Sequence, residues 1–591
     1  MTDDMGEMDR RAEEQRKRKL RAPKGEKPEV RAPDITNPTN TGGETDKHLA
    51  DVFYRDYEHL FCYGDKRLHF FIPRIGLWVA EDAEIHVKTY VMQLSKQFID
   101  RQTAAQTAMG AATEAGNQEE ADRQSREIAK MAKLVKYCEK GSTINTVSSL
   151  VLNLARTRLM ESPTPMNPNP ELLSCKNGVV DLATGELRWG RVGDYLTRNT
   201  GVDYVPDADY SWWQDRVLEM CDQNTRLAEY LQVWFGYCAT GYTRAHCMTV
   251  MYGTGRNGKN VLMDSVASAL GNYAMTLPNS FLEQSTKDAN DNNQLYAMAQ
   301  LHGVRFAYVS ETGEKGRMRE SLVKSLTGDT RIKARVAYGN YFEWEMTHKF
   351  TVGTNHKPEI SGTDDGVWER LRLMPMRVKF GSAEEVAAGL ARYLKNESLM
   401  TELGTDARRE QVLRWIVDGA RKYLKHDLKT FTPAEVAAET QAYRREQDVL
   451  GTFLQYATVH VPLDVIEATV ARIERIPHAQ RGKLTYEEQL RVDTQELWRV
   501  YVLWCTDNGH YPLSSTMFAR RITAAQRFWP GDGAGEQLMR PLEAIRTNQG
   551  RCYVYVRWSG PGAQMLAQAR QERAARTTKH TSSGADPEER F

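Results

Sequence analysis

A short apolar run, a glycine-rich loop and a helical segment follow one another in the middle of the chain. The apolar run is HCMTVMY (246–252), the loop is GTGRNGKN (253–260), and VLMDSVASALG (261–271) has helical spacing and ends in glycine. The loop has the form G-x-x-x-x-G-K, in which the glycines let backbone N–H groups face a phosphate. A glycine-rich turn with an incidental lysine is the alternative interpretation, which the flanking strand and helix disfavour.

The loop predicts a binding site for ATP and Mg²⁺. Lys259 would reach the β- and γ-phosphates, and the positive end of the following helix would add to the attraction. Asn260 stands where a Ser or Thr hydroxyl normally binds Mg²⁺, so its amide oxygen would have to replace that ligand. The residues predicted to contact the cofactor are Gly253, Thr254, Gly255, Arg256, Asn257, Gly258, Lys259 and Asn260.

Two polar residues follow apolar runs farther along the chain. Glu311 comes directly after VRFAYVS (304–310), and we predict that it polarises water and binds Mg²⁺ together with Asn260. Asn355 ends the run in TVGTNHKP (351–358), where an amide can sense the γ-phosphate and hold the attacking water. Each residue also has an ordinary interpretation, as an exposed glutamate after a strand or a turn asparagine before proline.

Arg370 and Arg372 lie in VWERLRLMP (367–375) and are candidates for an arginine finger. Such a finger completes the site of a neighbouring subunit and raises the hydrolysis rate by roughly 10³–10⁵, so the hypothesis requires an oligomer. A surface salt bridge with Glu369 is the alternative.

A basic and aromatic segment lies between Glu311 and Asn355. Its sequence is LTGDTRIKARVAYGNYFEWEM (326–346), and its Gly-Asn pair predicts the tip of a hairpin. Positive charge interleaved with rings suits a single nucleic acid strand, but an ordinary half-buried hairpin with core aromatics remains an equal alternative. The residues predicted to contact nucleic acid are Lys333, Arg335, Asn340 and Tyr341.

Composition excludes several classes of protein. The 591 residues are 41% apolar and hold 79 Lys and Arg against 78 Asp and Glu, a net charge of +1. A wholly disordered chain, a disulfide scaffold and a uniformly basic nucleic acid coat are therefore excluded. The eight cysteines contain no C-x-x-C pair, and the chain has neither an apolar signal sequence nor a membrane-spanning stretch. We expect a soluble cytoplasmic protein of a bacterial host cell, with no membrane partner.

Strands that alternate with helices predict an α/β fold with a parallel sheet. The segment 67–85 is apolar and aromatic with a Gly turn, which predicts a hairpin. The segment 103–118 consists of small and polar residues, which we interpret as a loose loop.

Four motifs in this order resemble the superfamily 3 helicases, most closely the poxvirus-type and phage or plasmid primase–helicases. They are GTGRNGKN, VSETGEKGRM, LTGDTRIKAR and TVGTNHKPEISGTDDGVWERLRLMP. The resemblance extends to CKNGVVDLATGEL, which is similar to the domain before the motor, and to 488–560, which is similar to the family's winged-helix module. It covers about residues 48–560 in all.

The resemblance implies an AAA+-like P-loop NTPase that forms a ring, usually a hexamer, with ATP sites between subunits. It implies that Lys259 binds phosphate, that Glu311 is the Walker B acid and that Asn355 is sensor 1. Arg370 would be the finger, although ERLR in place of a paired Arg-Arg leaves Arg372 open. The hairpin at 333–343 would grip one DNA strand in the central channel, with 3′→5′ translocation.

This resemblance and the composition together predict a domain order. We expect a disordered basic arm, a mainly helical α+β domain, an ATPase domain, a helical segment, a winged-helix-like DNA-binding domain and a disordered tail. Their predicted bounds are 1–47, 48–215, 216–385, 386–485, 486–562 and 563–591.

The predicted function is an ATP-dependent DNA helicase or translocase for replication of a phage, plasmid or integrated element. Primer synthesis is not expected, because too few residues precede the α+β domain for a polymerase core, so a separate primase or polymerase would be the partner. Asn260 motivates an alternative, a DNA-binding scaffold or loader with little ATP turnover. A third hypothesis, a remodeller of proteins, fits the basic hairpin less well.

Overall fold

The computed structural model describes residues 45–582 apart from a set of gaps. The gaps are 74, 82, 162, 284–290, 311–316, 336–340, 361–364, 462, 482, 485–489, 525–543, 548–549 and 555. Most of the predicted basic arm therefore lies outside the described residues.

The chain divides into two compact units. One comprises 1–358 with 369–437, and the other comprises 359–368 with 438–591. This division is coarser than the predicted domain order, whose finer boundaries stay predictions.

The amino-terminal part of the first unit packs helices on a small antiparallel sheet with the order β1–β2–β3. Its core includes Phe53, Phe70 and Trp78, which are almost fully buried. The elements are α1 (Asp46–Tyr57), β1 (Phe61–Gly64), β2 (Arg67–Ile72), β3 (Leu77–Val79), α2 (Ala83–Met92), α3 (Leu94–Glu114), α4 (Gln118–Cys138) and α5 (Gly141–Leu159).

Two local predictions fall in this part, and one of them is wrong. The hairpin at 67–85 is confirmed, since β2 and β3 pair with Phe71 opposite Trp78. The loop at 103–118 is wrong, because α3 continues as helix to Glu114. Alanine has the highest helix propensity, so the many alanines outweigh Gly110 within the helix, and Gly116 follows only after the helix has ended.

A second antiparallel sheet and two helices lead into the central sheet. Trp234 of the second helix donates from Nε1 to Thr351 Oγ1 at 2.9 Å, which fixes this helix against the central sheet. The elements are β4 (Leu172–Cys175), β5 (Gly178–Asp181), β6 (Glu186–Arg188), α6 (Ser211–Met220) and α7 (Thr225–Ala239).

The centre of the first unit is a five-stranded sheet with the order β13–β7–β12–β9–β8. All neighbouring strands run parallel, which confirms the predicted parallel sheet. The chain from this region contributes β7 (Met248–Tyr252), α8 (Lys259–Leu270), β8 (Ala274–Thr276), α9 (Asp291–Gln300), β9 (Phe306–Ser310), α10 (Glu320–Gly328), β10 (Arg331–Arg335), β11 (Tyr341–Glu345), β12 (Lys349–Thr354), α11 (Asp365–Trp368, in the second unit) and β13 (Leu371–Pro375).

The first unit ends with a short strand pair and a long helix. Helix α14 packs closely on α7, since a Cβ on Gly236 would lie 2.1 Å from the Ala420 backbone nitrogen. Its helical geometry is interrupted at Asp427, where φ is +60°. The elements are β14 (Phe380–Gly381), α12 (Ala383–Ala387), β15 (Tyr393–Leu394), α13 (Leu399–Leu403) and α14 (Asp406–Phe431).

The second unit has its own core, in which Phe453, Tyr501 and Phe518 pack together. Its strands form an antiparallel sheet with the order β17–β19–β18, and β16 pairs with β20. The elements after α14 are α15 (Ala434–Gln447), α16 (Val449–Ala457), β16 (Thr458–His460), α17 (Leu463–Glu474), α18 (His478–Arg481), β17 (Arg491–Asp493), α19 (Thr494–Asp507), α20 (Ser515–Ala524), β18 (Ala544–Thr547), β19 (Gly550–Val554), β20 (Val556–Trp558) and α21 (Gly560–Ser582).

The predicted disordered tail at 563–591 differs from the structure. Helix α21 runs to Ser582, and its Met565 and Leu566 are buried in the core of the second unit. The tail contains many Ala, Gln, Glu and Arg residues, which favour helix, and two buried apolar side chains anchor it. Residues 583–591 lie outside the described part.

The cysteines and the helices can be compared with two expectations from the sequence, that the chain is not a disulfide scaffold and that it has no membrane-spanning stretch. All eight cysteines are buried and none forms a disulfide. Burial raises the pKa of the Cys62 thiol to about 12 and that of Cys247 to about 11, so both are protonated at neutral pH. In the part of the chain that the structure describes, no helix is both long enough and apolar enough to cross a lipid bilayer.

Candidate functional site

The glycine-rich loop joins the carboxyl end of β7 to the first turn of α8. Gly255, Arg256 and Gly258 have φ values of +93°, +50° and +84°, in the left-handed region. Left-handed residues within a tight turn aim successive backbone N–H groups into one concavity, which is the arrangement that binds anions. Arg256 is unusual because a side chain at positive φ is strained. The loop therefore has the backbone form that a phosphate requires.

The start of the loop has no space for a side chain. Gly253 N donates to Thr354 O at 3.2 Å, which ties the loop to the end of β12. A Cβ on Gly253 would lie 2.1 Å from the Met376 carbonyl oxygen and 2.2 Å from Asn257 Nδ2. Since real Cβ atoms do not come so close to other atoms, the fold requires glycine here.

Lys259 is 4% exposed and lies under the loop. Its Nζ donates to Gly253 O at 3.2 Å, to Asn257 Oδ1 at 3.4 Å and to Asn355 Oδ1 at 2.5 Å. Two residues predicted separately, Lys259 and Asn355, thus meet at the carboxyl edge of the sheet. In parallel sheets this edge is where ligands bind.

The side chain of Asn260 is exposed and lies over the end of β12. Its Oδ1 is 3.6 Å from the position that a Cβ on Gly353 would take. One turn later on α8, Asp264 Oδ1 accepts a hydrogen bond at 2.9 Å from the Tyr308 hydroxyl. Burial raises the pKa of Tyr308, which keeps this hydroxyl protonated as a donor. One face of α8 thus presents polar groups toward the ends of β12 and β9.

A salt bridge that the sequence did not reveal holds the tip of the loop. Arg256 donates to both carboxylate oxygens of Glu385, at 2.8 and 2.7 Å, and the Phe380 N–H donates to Arg256 O at 2.8 Å. The Arg256 guanidinium, with Ser382 N–H, holds the pKa of Glu385 down at about 2. The pattern Ser382-x-x-Glu385 was visible as a capping box, but its pairing with the loop was not.

The two candidate fingers lie at the other edge of the sheet. Arg370 directly precedes β13, and its Nη2 lies 2.8 Å from the position of a Cβ on Gly328. Arg372 is opposite Thr249 near the start of β7, and its Nη1 donates to the carbonyls of Glu369 and Leu371. Within one chain these residues therefore do not join Lys259, and a finger role needs a second subunit.

Two predicted residues, Glu311 and Asn340, lie outside the described residues. Among the described residues, no group of three or more His, Cys, Asp and Glu side chains is placed to bind a metal ion. A Mg²⁺ ion that is held by phosphates needs only one or two carboxylates from the protein, together with water. The roles predicted for Glu311 and Asn340 therefore stay predictions.

The basic hairpin (331–345) has one exposed and one buried face. β10 and β11 are antiparallel, with Lys333 opposite Glu343 and Arg335 opposite Tyr341. Tyr341 is 49% exposed, and its ring lies 5.3 Å from Lys333 Nζ and 5.5 Å from the Arg335 guanidinium carbon. Trp344 is 7% exposed, so the core interpretation holds for this ring but not for Tyr341. The glutamates on the exposed face were overlooked in the sequence.

The comparisons with known proteins cover two stretches of the chain. Residues 50–222 match the family model described as D5 N terminal like, and residues 251–370 match a family of unknown function. A candidate helicase of Acanthamoeba polyphaga mimivirus is 25% identical over 301 residues, which are 49% of this chain and 30% of the relative. Over these residues the chain is similar to the D5-type primase–helicases.

A second relative has similar identity and coverage. A candidate primase of African swine fever virus is 27% identical over 310 residues, 50% of this chain and 32% of the relative. The chain spans about a third of the length of the curated relatives named here. Among solved structures, the NrS-1 C-terminal region aligns with 69% of this chain and 90% of its own, at 12% identity and a TM-score of 0.34.

Proposed function

We propose that this D5-type chain is an ATP-driven DNA helicase or translocase for replication of a phage, plasmid or integrated element. The observation that carries the proposal is the set of contacts of Lys259 Nζ with the glycine-rich loop and with Asn355. A buried lysine under a loop of left-handed glycines, at the carboxyl edge of a parallel sheet, is what a triphosphate site needs. Relatives named as candidate helicases and primases support the link to replication.

The proposed roles follow from the positions of the side chains. Bound ATP with Mg²⁺ supplies the free energy of phosphate hydrolysis. Lys259 and the N–H groups of the loop bind and orient phosphate oxygens, while Asn355 holds the attacking water. Asn260 and Glu311 are the proposed Mg²⁺ ligands, and Glu311 also polarises the water. Arg370 of one subunit completes the site of the next, which makes the active form a ring, a hexamer by family resemblance.

The basic hairpin is the proposed contact with a DNA strand. Lys333, Arg335 and Tyr341 form one group in which two cations lie against a ring, with Lys333 and Tyr341 exposed and Arg335 half-buried. Groups of this kind bind phosphates and stack on bases. Asn340 belongs to the same predicted contact. The antiparallel strands and helices of 486–562 are the proposed winged-helix region, which would bind duplex DNA. A separate primase or polymerase is the proposed partner.

The experiment that tests the function measures ATP hydrolysis by the purified chain with and without single-stranded DNA. We expect DNA to stimulate hydrolysis, and Lys259→Ala to abolish both hydrolysis and strand unwinding. Lys130→Ala, at an exposed position on α4, is the matched control and should behave as wild type. If unwinding survives in Lys259→Ala, the assignment of the motor is wrong.

A second candidate function is a nucleotide-gated scaffold or loader that binds DNA with little turnover. The exposed amide of Asn260, at the position of the usual hydroxyl ligand, favours it. Asn260→Ser separates the two, because a large gain in hydrolysis rate identifies a naturally slow site. An unchanged or lower rate in the variant supports the helicase.

A further inference from the structure

A cationic groove lies on the first unit, away from the glycine-rich loop, along the side of α14. It encloses a cavity of about 630 Å³. Its lining is dominated by one face of the helix, with aromatic and apolar side chains at its border. Its lining includes Arg414, Asp418, Arg421, Lys422, Lys425 and Tyr210.

The inner part of this groove is charge-paired. Asp418 forms an ion pair with Arg414 at 2.9 Å. It accepts hydrogen bonds from the Tyr210 hydroxyl at 3.1 Å and from Arg421 at 3.4 Å. Lys422 donates to Glu229 at 2.7 Å. These contacts hold the side chains of the groove wall in place, and they neutralise the carboxylates of Asp418 and Glu229.

The outer part has excess positive charge. Arg421 is 46% exposed, and its 3.4 Å contact is with a carboxylate that Arg414 already holds at 2.9 Å. Lys425 is exposed, and within the described residues it forms no ion pair. His426 follows on the same rim and adds a further donor. The groove thus has four Lys and Arg side chains in its lining against a single carboxylate.

The spacing of these cations indicates the chemistry of the ligand. Arg421 and Lys425 are one helical turn apart, about 6 Å along the axis. Cations repeated along an open groove suit a chain of phosphates, since each makes a separate contact with an exposed anionic oxygen. A single small phosphate is bound instead by converging backbone N–H groups, as in the glycine-rich loop.

We propose that the cationic groove binds the phosphodiester backbone of a nucleic acid strand, as a contact surface separate from the basic hairpin. The proposal rests on the proposed function, which supplies a nucleic acid as partner. Contacts of this kind position a strand without reading its sequence. The groove would therefore contact DNA at a place separate from the basic hairpin. It would raise the affinity for DNA equally for all nucleotide sequences.

The test is the affinity of the full chain for a fluorescent single-stranded oligonucleotide over a range of salt concentrations. The variant is Arg421→Glu with Lys425→Glu, because both side chains are exposed and Asp418 keeps its shorter contact with Arg414. Lys130→Glu with Lys133→Glu, two exposed lysines of α4, makes the same change of net charge and is the control. Loss of two phosphate contacts should weaken binding about tenfold and reduce the salt slope by about 1.4.

The possible results separate this proposal from the function on which it rests. Tight wild-type binding with the same affinity and slope in variant and control overturns the groove and leaves the helicase proposal standing. No binding by the wild-type chain overturns both. A third result is that the variant loses binding of a mononucleoside triphosphate but keeps its affinity for the oligonucleotide. This result would assign the groove to a small phosphate ligand and would also overturn the proposal.

Discussion

Two buried lysines lie at opposite ends of β12, and they differ in their partners. Lys259 lies at the carboxyl end, where its Nζ contacts a glycine-rich loop and the amide of Asn355. Lys349 begins the strand and is 2% exposed. Its Nζ donates to the carbonyl oxygens of Thr240 and Thr347, and it lies 5.1 Å from the centre of the Tyr237 ring.

The comparison teaches that burial of a lysine does not by itself identify a binding site. Lys349 donates to the Thr240 carbonyl at the end of α7, where a helix carries its negative pole, and to the Thr347 carbonyl just before β12. The protein itself therefore supplies the partners of its ammonium group. Arg305 acts in the same way on Ala239 O at 2.8 Å. Desolvation lowers the pKa of Lys349 well below its usual value. Lys259 instead lies under a glycine-rich loop with left-handed residues and contacts Asn355 at the carboxyl edge of the sheet. This difference between the two surroundings predicts that Lys259 has a functional role.

The largest expected effect comes from Gly253→Ala, which changes the loop and not the lysine. The new Cβ would be 2.1 Å from the Met376 carbonyl oxygen, so the backbone around Lys259 must shift. Because misplacement by about 1 Å can cost 10²-fold, we expect ATP hydrolysis to fall at least about 100-fold. Gly110→Ala is the control, since no atom lies within 4 Å of its new Cβ. If Gly253→Ala and Gly110→Ala hydrolyse ATP at the same rate, the geometry of the loop around Lys259 is not important for hydrolysis. The functional contrast between Lys259 and Lys349 would then be wrong.

Lys349→Met tests the opposite end of the strand. Loss of the ammonium leaves two buried carbonyl oxygens without their donor, which should lower the free energy of unfolding by about 2 kcal/mol. Denaturant unfolding measures this loss, and ATP hydrolysis per folded molecule should stay within about twofold of wild type. Hydrolysis lost without any change in unfolding would show that Lys349 is functional after all.

The neighbouring residue, His348, makes stability depend on pH. Burial lowers the pKa of its imidazole from 6.5 to about 3, with a smaller effect of Lys349. Neither ring nitrogen has a hydrogen-bond partner among the described residues. Between these values the unfolded chain binds a proton that the folded chain does not, so stability falls as pH falls below 6.5.

The expected size follows from about 1.4 kcal/mol per pH unit, which gives a loss of about 2 kcal/mol between pH 6.5 and 5 for this group. His348→Phe should remove this pH-dependent loss of stability, because phenylalanine has no titratable group. The new ring would pack against Phe350, whose ring lies 5.0 Å from the imidazole. Unfolding curves at pH 7 and 5 measure it. The same pH dependence in wild type and variant would assign it to other groups.

The smallest expected effect concerns the salt bridge at the tip of the loop. Glu385→Gln keeps the size of the side chain but removes the charge that binds Arg256. The pair is partly exposed, so we expect the KM for ATP to rise only about two- to fivefold, with kcat unchanged. Arg256→Ala should give a similar rise, and the double variant no more than either alone. Additive effects would show that the two residues act separately.

The sequence predicted four of the five strands of the central sheet, because each of the four is a short apolar run next to loop residues. It did not predict β8, which has only three residues, none of them fully buried. It failed for α3 and α21, where small or polar side chains were taken to mean absence of structure. For α3 the alanines themselves favour helix. For α21 the decisive contacts are those of Met565 and Leu566 with distant residues of the second unit. Long-range packing of this kind leaves no local pattern.

The sequence by itself determined the glycine-rich loop, since Gly253 leaves room for the close backbone contact and Gly255 and Gly258 adopt positive φ without strain. It also determined that Lys259 and Asn355 follow parallel strands whose ends meet. Only the tertiary structure decided the salt bridge of Arg256 with Glu385, the carbonyl partners of Lys349 and the cationic groove on α14. Each of these features depends on residues that are far apart in the chain. Their burial and their charge pairing arise only when the folded chain brings those residues together.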